Sequence, residues 1–381
     1  MAIVFTKPTI TGNEQKYFRQ ALQAPLTNRH WAGDGPFTRR CSSLIEKRFK
    51  ASKVLLTPSG THALELAALL LNLGAGDEVI VPSFTFSSSI NCFMLAGARP
   101  VFVDVREDTL NIDEHLIEKN ISKRTRAIFP VHYAGVSCNM KKINAIAKAH
   151  GLAVVEDAAQ AVNARYNGRY LGTIGDLGVY SFHESKNYSC GEGGALVIND
   201  AGLIELAEIL REKGTNRSKF FRGEVDKYTW VDVGSSYLLS DLLAAILYAQ
   251  LENLNTIQRR RRHLYRQYER KLHPLAQEGK LRLPVIPKDC QTNYHIFYIL
   301  LPTESVRNSL MDYLKKKGIL AVFHYIPLHT SPMGKRLGYK RGDFPLTEEL
   351  SGRLLRLPLY PDLSQTEQHT VIRAIQEFFT D

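Results

Sequence analysis

The chain has 381 residues, enough for one large α/β domain and a smaller companion. Its 44% hydrophobic and 23% charged content is that of an ordinary globular protein, which sets aside disordered, collagenous and disulfide-scaffold classes. The net charge of +11 leaves nucleic acid open as a partner, but equally suits small anionic substrates such as nucleotide sugars and dicarboxylates.

The opening residues, Met-Ala-Ile-Val-Phe-Thr-Lys-Pro, carry no long apolar core and no small-residue cleavage site, so no signal peptide is expected. No membrane span is expected either; the longest apolar candidate, Ala63 to Leu73, is interrupted by Glu65 and Asn72. Five cysteines are scattered without a Cys-x-x-Cys pair, which argues against a disulfide framework and a zinc site and points to the cytoplasm.

Residues 1–40 read as mostly connective, with a turn-like Trp31 to Arg40 that could form an active-site lip and a short helical pattern at Leu44, Ile45 and Phe49. Val54 to Thr57 reads as a strand, and Pro58-Ser59-Gly60-Thr61 as a turn into a helix closed by Gly74. Free amides and hydroxyls at a helix start are a ready phosphate site; a plain N-cap by Ser59 or Thr61 explains the same residues. Further strands are predicted at Glu78 to Phe86, Pro100 to Val105 and Ala127 to His132. Phe86, at the end of the first of these, can stack on a flat ring or simply fill core.

A helix from Met140 to Ala149, stopped by Gly151, leads to strand Leu152 to Asp157, a βαβ unit. Asp157 closes an apolar strand and precedes Ala158-Ala159-Gln160. A carboxylate there is costly unless paired, for instance with a protonated ring nitrogen; a helix N-cap is the alternative. Strand Val179 to Phe182 then runs into Ser181-Phe-His-Glu-Ser-Lys186 and a glycine-dense turn, Gly191-Glu-Gly-Gly194, before the apolar run Ala195 to Ile198. A lysine between two buried strands loses hydration, its pKa falls, and it becomes a nucleophile suited to Schiff-base chemistry with a carbonyl such as that of pyridoxal phosphate.

A helix from Leu203 to Lys213 precedes a polar stretch, Thr215 to Trp230, holding Arg217 and Arg222. A long helical pattern from Ser240 to about Leu272 bridges two halves and contains Arg259-Arg260-Arg261-Arg262, a solvated helix face or a nucleic-acid patch. The remainder, with strand-like Tyr294 to Leu301, a helix from Val306 to Lys317, the run Gly318 to Tyr325 that follows it and a closing helix from Thr366 to Phe379, reads as a smaller α+β domain. The expected division is 1–240, a large cofactor-binding domain with 1–40 at the active-site lip, and 241–381, a bridging helix and a small C-terminal domain.

Taken as a set, Pro58-Ser-Gly-Thr61, Glu156-Asp-Ala-Ala-Gln160, Ser181-Phe-His-x-x-Lys186 and Gly191-Glu-Gly-Gly194 resemble the DegT/DnrJ/StrS sugar aminotransferases across essentially the whole chain. The resemblance implies fold type I: a large α/β domain with a mixed, mostly parallel sheet and a smaller C-terminal α+β domain. It implies pyridoxal 5′-phosphate as cofactor and no metal. Lys186 would carry the cofactor's aldehyde, Asp157 would hold the ring nitrogen protonated, Gln160 would face the ring hydroxyl and Phe86 would stack on the ring. Gly60, Thr61 and Ser181 would hold the phosphate. Many members add a Gly-x-Asn-x-Arg motif from a partner subunit; the matching residues here are Gly234-Ser-Ser236-Tyr-Leu238, so Ser236 stands at the asparagine position.

Members with histidine in place of the lysine are dehydratases, so Lys186 implies transamination. The implied substrates are a nucleotide-linked 4-keto-6-deoxyhexose and L-glutamate, in a homodimer with shared active sites and without nucleic-acid or membrane partners. Asn187, His324, Tyr325 and His329, with Arg217 and Arg222, are candidate substrate contacts. A different nucleotide-sugar aminotransferase and a non-catalytic pyridoxal-phosphate-binding regulator remain open.

Overall fold

The computed structural model describes residues 2–25 and 29–380. Its strands, in chain order, are β1 (Lys53–Thr57), β2 (Glu78–Pro82), β3 (Arg99–Val103), β4 (Thr125–Ile128), β5 (Ala153–Asp157), β6 (Arg165–Tyr166), β7 (Arg169–Tyr170), β8 (Leu177–Ser181), β9 (Gly194–Ile198), β10 (Cys290–Gln291), β11 (Phe297–Leu300) and β12 (Leu354–Leu357). Helices of the first half are α1 (Glu14–Leu22), α2 (Pro36–Phe49), α3 (Gly60–Leu70), α4 (Ser88–Met94), α5 (Met140–His150), α6 (Ile204–Arg211) and α7 (Arg217–Phe221). The second half adds α8 (Asp241–Glu252), α9 (Leu254–Gln277), α10 (Glu304–Lys316), α11 (Pro332–Arg336), α12 (Pro345–Arg353) and α13 (Gln365–Phe378).

Seven strands form the central sheet in the order β1-β9-β8-β5-β4-β2-β3. Only β9 runs against the others, so the sheet is mixed and mostly parallel. A sheet covered on both faces needs apolar side chains in both directions. Val54, Leu56, Ile80, Val154 and Val197 feed one core, while Leu55, Val79, Val81, Val155 and Leu196 feed the other. This is why the strands read in sequence as unbroken apolar runs rather than as alternation.

A third core joins the inner face of α9 (Tyr265, Tyr268, Leu272) to β11, β12, α10 and α13, with Phe297 and Leu355 fully buried. Ile3 belongs to this core and bridges to Ile319, so the first residues of the chain pack with its C-terminal part. Two expectations are corrected. Residues 1–40 are not merely connective: α1 packs on α8, and α2 begins at Pro36, a residue suited to a first helical position. The long helical pattern is two helices broken at Asn253. The run Gly318 to Tyr325 forms only isolated bridges, Ile3↔Ile319 and Val322↔Arg356. Among the described residues no helix is long and apolar enough to cross a membrane.

Candidate active site

Parallel strands deliver their C-terminal ends, and the helix starts that follow, to one edge of the sheet. Here those ends are Thr57 of β1, Pro82 of β2, Asp157 of β5 and Ser181 of β8, with Gly194 at the start of the antiparallel β9 beside them. Ser59 caps α3 by accepting the His62 amide at 3.2 Å. The capping reading is therefore right for Ser59, but it uses one amide only. The amides of Gly60 and Thr61, in the first turn, have no acceptor within the helix and form the positive end of its dipole.

The turn sits tightly in place. A Cβ on Gly60 would lie 3.0 Å from Ser181 Cβ, and a Cβ on Gly194 would lie 2.3 Å from the Ser59 carbonyl carbon. Glycine at both positions lets the α3 start approach the ends of β8 and β9. The Thr61 hydroxyl pairs with that of Ser88 at 2.8 Å, tying the starts of α3 and α4 together. One residue on, the buried Ser89 hydroxyl donates to Asp157 Oδ2 at 2.6 Å, and Thr85 in turn lies 2.8 Å from Ser89 Oγ. The Ala159 amide donates to Asp157 Oδ1 at 3.1 Å. The Asp157 carboxylate is thus buried and aimed by two donors.

Lys186 lies on the loop between β8 and β9. Backbone bonds Phe182–Gly193, Glu184–Gly191 and Cys190–Phe182 close the loop, and fully buried Tyr188 anchors it. Burial brings the Lys186 amine down to about 8; the Asp157 carboxylate opposes this shift and the Arg356 guanidinium adds to it. The amine has no carboxylate within 4 Å among the described residues. A buried amine poised near neutrality, a buried carboxylate and free helix-start amides are the donor set that an aldehyde, a ring nitrogen and a phosphate require, so these residues fit pyridoxal phosphate.

Around this centre Gln160 accepts from the Ala134 amide at 2.8 Å and donates to the Tyr325 hydroxyl at 3.0 Å. Phe86 is 59% exposed, and its ring lies 6.4 Å from that of Tyr325. His324 Nδ1 is 3.0 Å from the Tyr133 hydroxyl. Burial first, then Arg356 and Lys186, hold His324 well below the usual histidine range, so it stays neutral.

The remaining candidates sit elsewhere or are engaged. Asn187 is buried, donates to the Asn293 carbonyl at 3.0 Å and pairs with His295 at 2.9 Å, which suits holding the loop more than touching a substrate. His329 is fully buried between Ser83 Oγ at 2.7 Å and Glu348 at 2.9 Å, a structural bridge and not a free contact. Arg217 pairs with Glu212 and Arg222 with Glu208 and Glu224. Glu208 also pairs with Lys53, at the opposite strand end of β1 from the Lys186 edge, so Arg222 is remote from its own chain's site. Ser236 is exposed, its backbone bridged to Glu212.

Three contributors went unread in the sequence. Ser88 and Ser89 belong to a run of serines after β2, a helix-start signal that was available. Arg356 is a lone charge in the leucine-rich β12; its Nε is buried without a partner, and its guanidinium lies over the Phe5 ring at 4.3 Å. Burial lowers its pKa, which a nearby anion would reverse.

Known proteins match almost the whole length of the chain. The profile of the DegT/DnrJ/EryC1/StrS aminotransferase family matches residues 10–376. The "Pleiotropic regulatory protein" of Geobacillus stearothermophilus is 35% identical over 347 residues, covering 91% of this chain and 90% of that one. The spore coat polysaccharide biosynthesis protein SpsC of Bacillus subtilis is 34% identical over 355 residues, covering 91% and 90%. Among solved structures, Spr1654 from Streptococcus pneumoniae in its apo form superposes with a TM-score of 0.90 at 25% identity, covering 100% of this chain and 99% of that one. The same protein is matched in its PLP form at a TM-score of 0.89.

Proposed function

The chain belongs to the DegT/DnrJ/EryC1/StrS aminotransferase family, pyridoxal-phosphate-dependent enzymes acting on sugars, and on that premise we propose that it transfers the amino group of L-glutamate to dTDP-4-dehydro-6-deoxy-D-glucose, giving dTDP-4-amino-4,6-dideoxy-D-galactose and 2-oxoglutarate. The observation that carries transamination is the buried Lys186 amine, brought to about 8 within the field of the Asp157 carboxylate. The choice of sugar is supported by Gly33-Asp-Gly-Pro-Phe-Thr-Arg-Arg-Cys41, Lys213-Gly-Thr-Asn-Arg217 and Phe323-His-Tyr-Ile-Pro-Leu-His329, which resemble the corresponding transaminase of enterobacterial common antigen synthesis.

Pyridoxal phosphate, when bound, supplies an aldehyde for the donor amine and a ring that takes up electron density. Gly60 and Thr61 amides with the Ser181 hydroxyl would bind its phosphate, Phe86 would cover the ring and Gln160 would meet its hydroxyl. Asp157, aimed by Ser89 and Ala159, would keep a proton on the ring nitrogen. Lys186 Nζ, with a pKa close to working pH, would take the proton from the donor's Cα and later return one to the sugar carbon. Arg356, without a carboxylate partner, would bind the donor's carboxylate, and neutral His324 with Tyr325 would line the substrate side.

A homodimer with shared sites is part of this reading. Phe221, Trp230 and Val233 are 69%, 75% and 68% exposed on the segment that leads to Ser236. Such an apolar stretch suits cover by a second copy, which would bring Ser236, and with it Arg217 and Arg222, to the partner's phosphates. Five buried free thiols suit a reducing, cytoplasmic setting.

The test is incubation of the holoenzyme with L-glutamate and dTDP-4-dehydro-6-deoxy-D-glucose, with the product read by NMR. An axial amine at carbon 4 is expected. An equatorial amine, or one at carbon 3, would assign a different sugar. Bound cofactor with no amino transfer from any donor would favour the regulator reading, which the Geobacillus relative's name keeps in view.

A further inference from the structure

The arginine run on α9 finds a place that the proposed reaction does not use. An open cleft of about 1020 Å³ is walled by α2, the small sheet β10-β6-β7 and α9. Arg48, Arg165, Arg259, Arg262, Arg266 and Lys288 all line it. Positions 259, 262 and 266 are three and four residues apart, so they share one face of α9. At 1.5 Å per residue they extend over about 10 Å of its axis.

Only Arg266 has a carboxylate partner, Glu269 at 2.7 Å; among the described residues none of the other five has one within 4 Å. Arg48 Nε is buried with no hydrogen-bond partner at all. Arg222, by contrast, is neutralised in place by two glutamates. Gathering unneutralised cations in a concavity raises their mutual repulsion and concentrates field lines there, an arrangement that an anion relieves.

The shape narrows the anion. A span of about 10 Å exceeds a single phosphate and matches a chain of them followed by a sugar. Guanidinium forks bind phosphate oxygens in pairs. Tyr294 and Pro287 add aromatic and apolar surface beside the cations, suited to a flat base. The concave wall of three elements fits a small molecule better than the convex backbone of a duplex. The cleft is also distinct from the Lys186 site: Asn163 lines it and donates at 3.5 Å to the hydroxyl of buried Tyr188, two residues from Lys186, so this pair forms the wall between them.

We propose that this cleft binds a nucleoside di- or triphosphate through its phosphate chain. The test titrates ATP and inorganic tripolyphosphate, without magnesium, into the holoenzyme at low salt by calorimetry. Both are expected to bind, and the charge reversal Arg259→Glu/Arg262→Glu is expected to weaken both by about tenfold or more. Both residues are exposed, and a matching melting temperature checks the fold. Lys288→Glu, on a separate loop, is expected to act in the same direction. Absence of binding at millimolar ligand, binding that survives both variants, or a cleft-dependent affinity for duplex DNA alone would each overturn the proposal.

Discussion

Replacing Lys186 is expected to make the apoprotein more stable, by an amount that depends on pH. The Lys186 amine is brought down from 10.5 to about 8 by burial. One pKa unit is 1.36 kcal/mol, so holding the proton in the fold costs up to about 3 kcal/mol. The sign follows from proton counting. Below pH 8 both folded and unfolded chains carry the proton and the full cost is present. Between 8 and 10.5 the unfolded chain binds more protons than the folded one, so stability rises with pH. Lys186→Met removes the group while keeping its volume. The apoprotein variant is therefore expected to exceed wild type by up to about 3 kcal/mol at pH 7, with the difference fading above pH 8 and gone by 10.5. Urea unfolding of both proteins across that range, after cofactor removal, measures the difference, and groups common to both cancel. A variant less stable than wild type at pH 7, or a gain that does not change with pH, would refute the claim that burial depresses this amine.

Three further substitutions probe the parts around it. Ser89→Ala removes the 2.6 Å donor that aims Asp157; a hydrogen bond to a charged group is worth about 1.5–3 kcal/mol, so turnover in the glutamate half-reaction is expected to fall about 10- to 100-fold. Cofactor binding should persist, and an effect on glutamate KM alone would count against a positioning role. Gly60→Ala places a Cβ 3.0 Å from Ser181 Cβ; pyridoxal phosphate affinity, followed by equilibrium dialysis, is expected to drop about tenfold or more, and the crowding to cost about 1–3 kcal/mol of stability. Arg356→Gln is expected to raise glutamate KM about tenfold or more in steady-state assays, because a carboxylate loses a charge-assisted pair. The same change should raise the Lys186 pKa, since Arg356 pushes it down.

The parts that could be read from sequence are those set by local chemistry. Central strands covered on both faces must be apolar along their whole length, so β1, β2, β5, β8 and β9 stand out as short apolar runs. A lysine and an aspartate next to such runs are conspicuous for the same reason, and Gly60 and Gly194 mark close backbone approaches. What stayed hidden depends on partners far along the chain. His329 looks like a free polar residue until Ser83, 246 positions earlier, and Glu348 enclose it. Asn187 is claimed by Asn293 and His295 across more than a hundred residues. The break at Asn253 is invisible because the apolar periodicity continues through it, and α1 has only Ala21 buried to announce it. Arg356 reads as part of a leucine pattern, and its importance appears only when Lys186, His324 and Tyr325 are seen to surround it.

The most direct measurement is the visible absorption spectrum of the protein reconstituted with pyridoxal phosphate, before and after L-glutamate. The expected result is a yellow band that glutamate bleaches to a pyridoxamine-like one, and that Lys186→Ala never shows. No band after incubation with the cofactor, or the same band in Lys186→Ala, would contradict the assignment of Lys186 as the residue on which the chemistry rests.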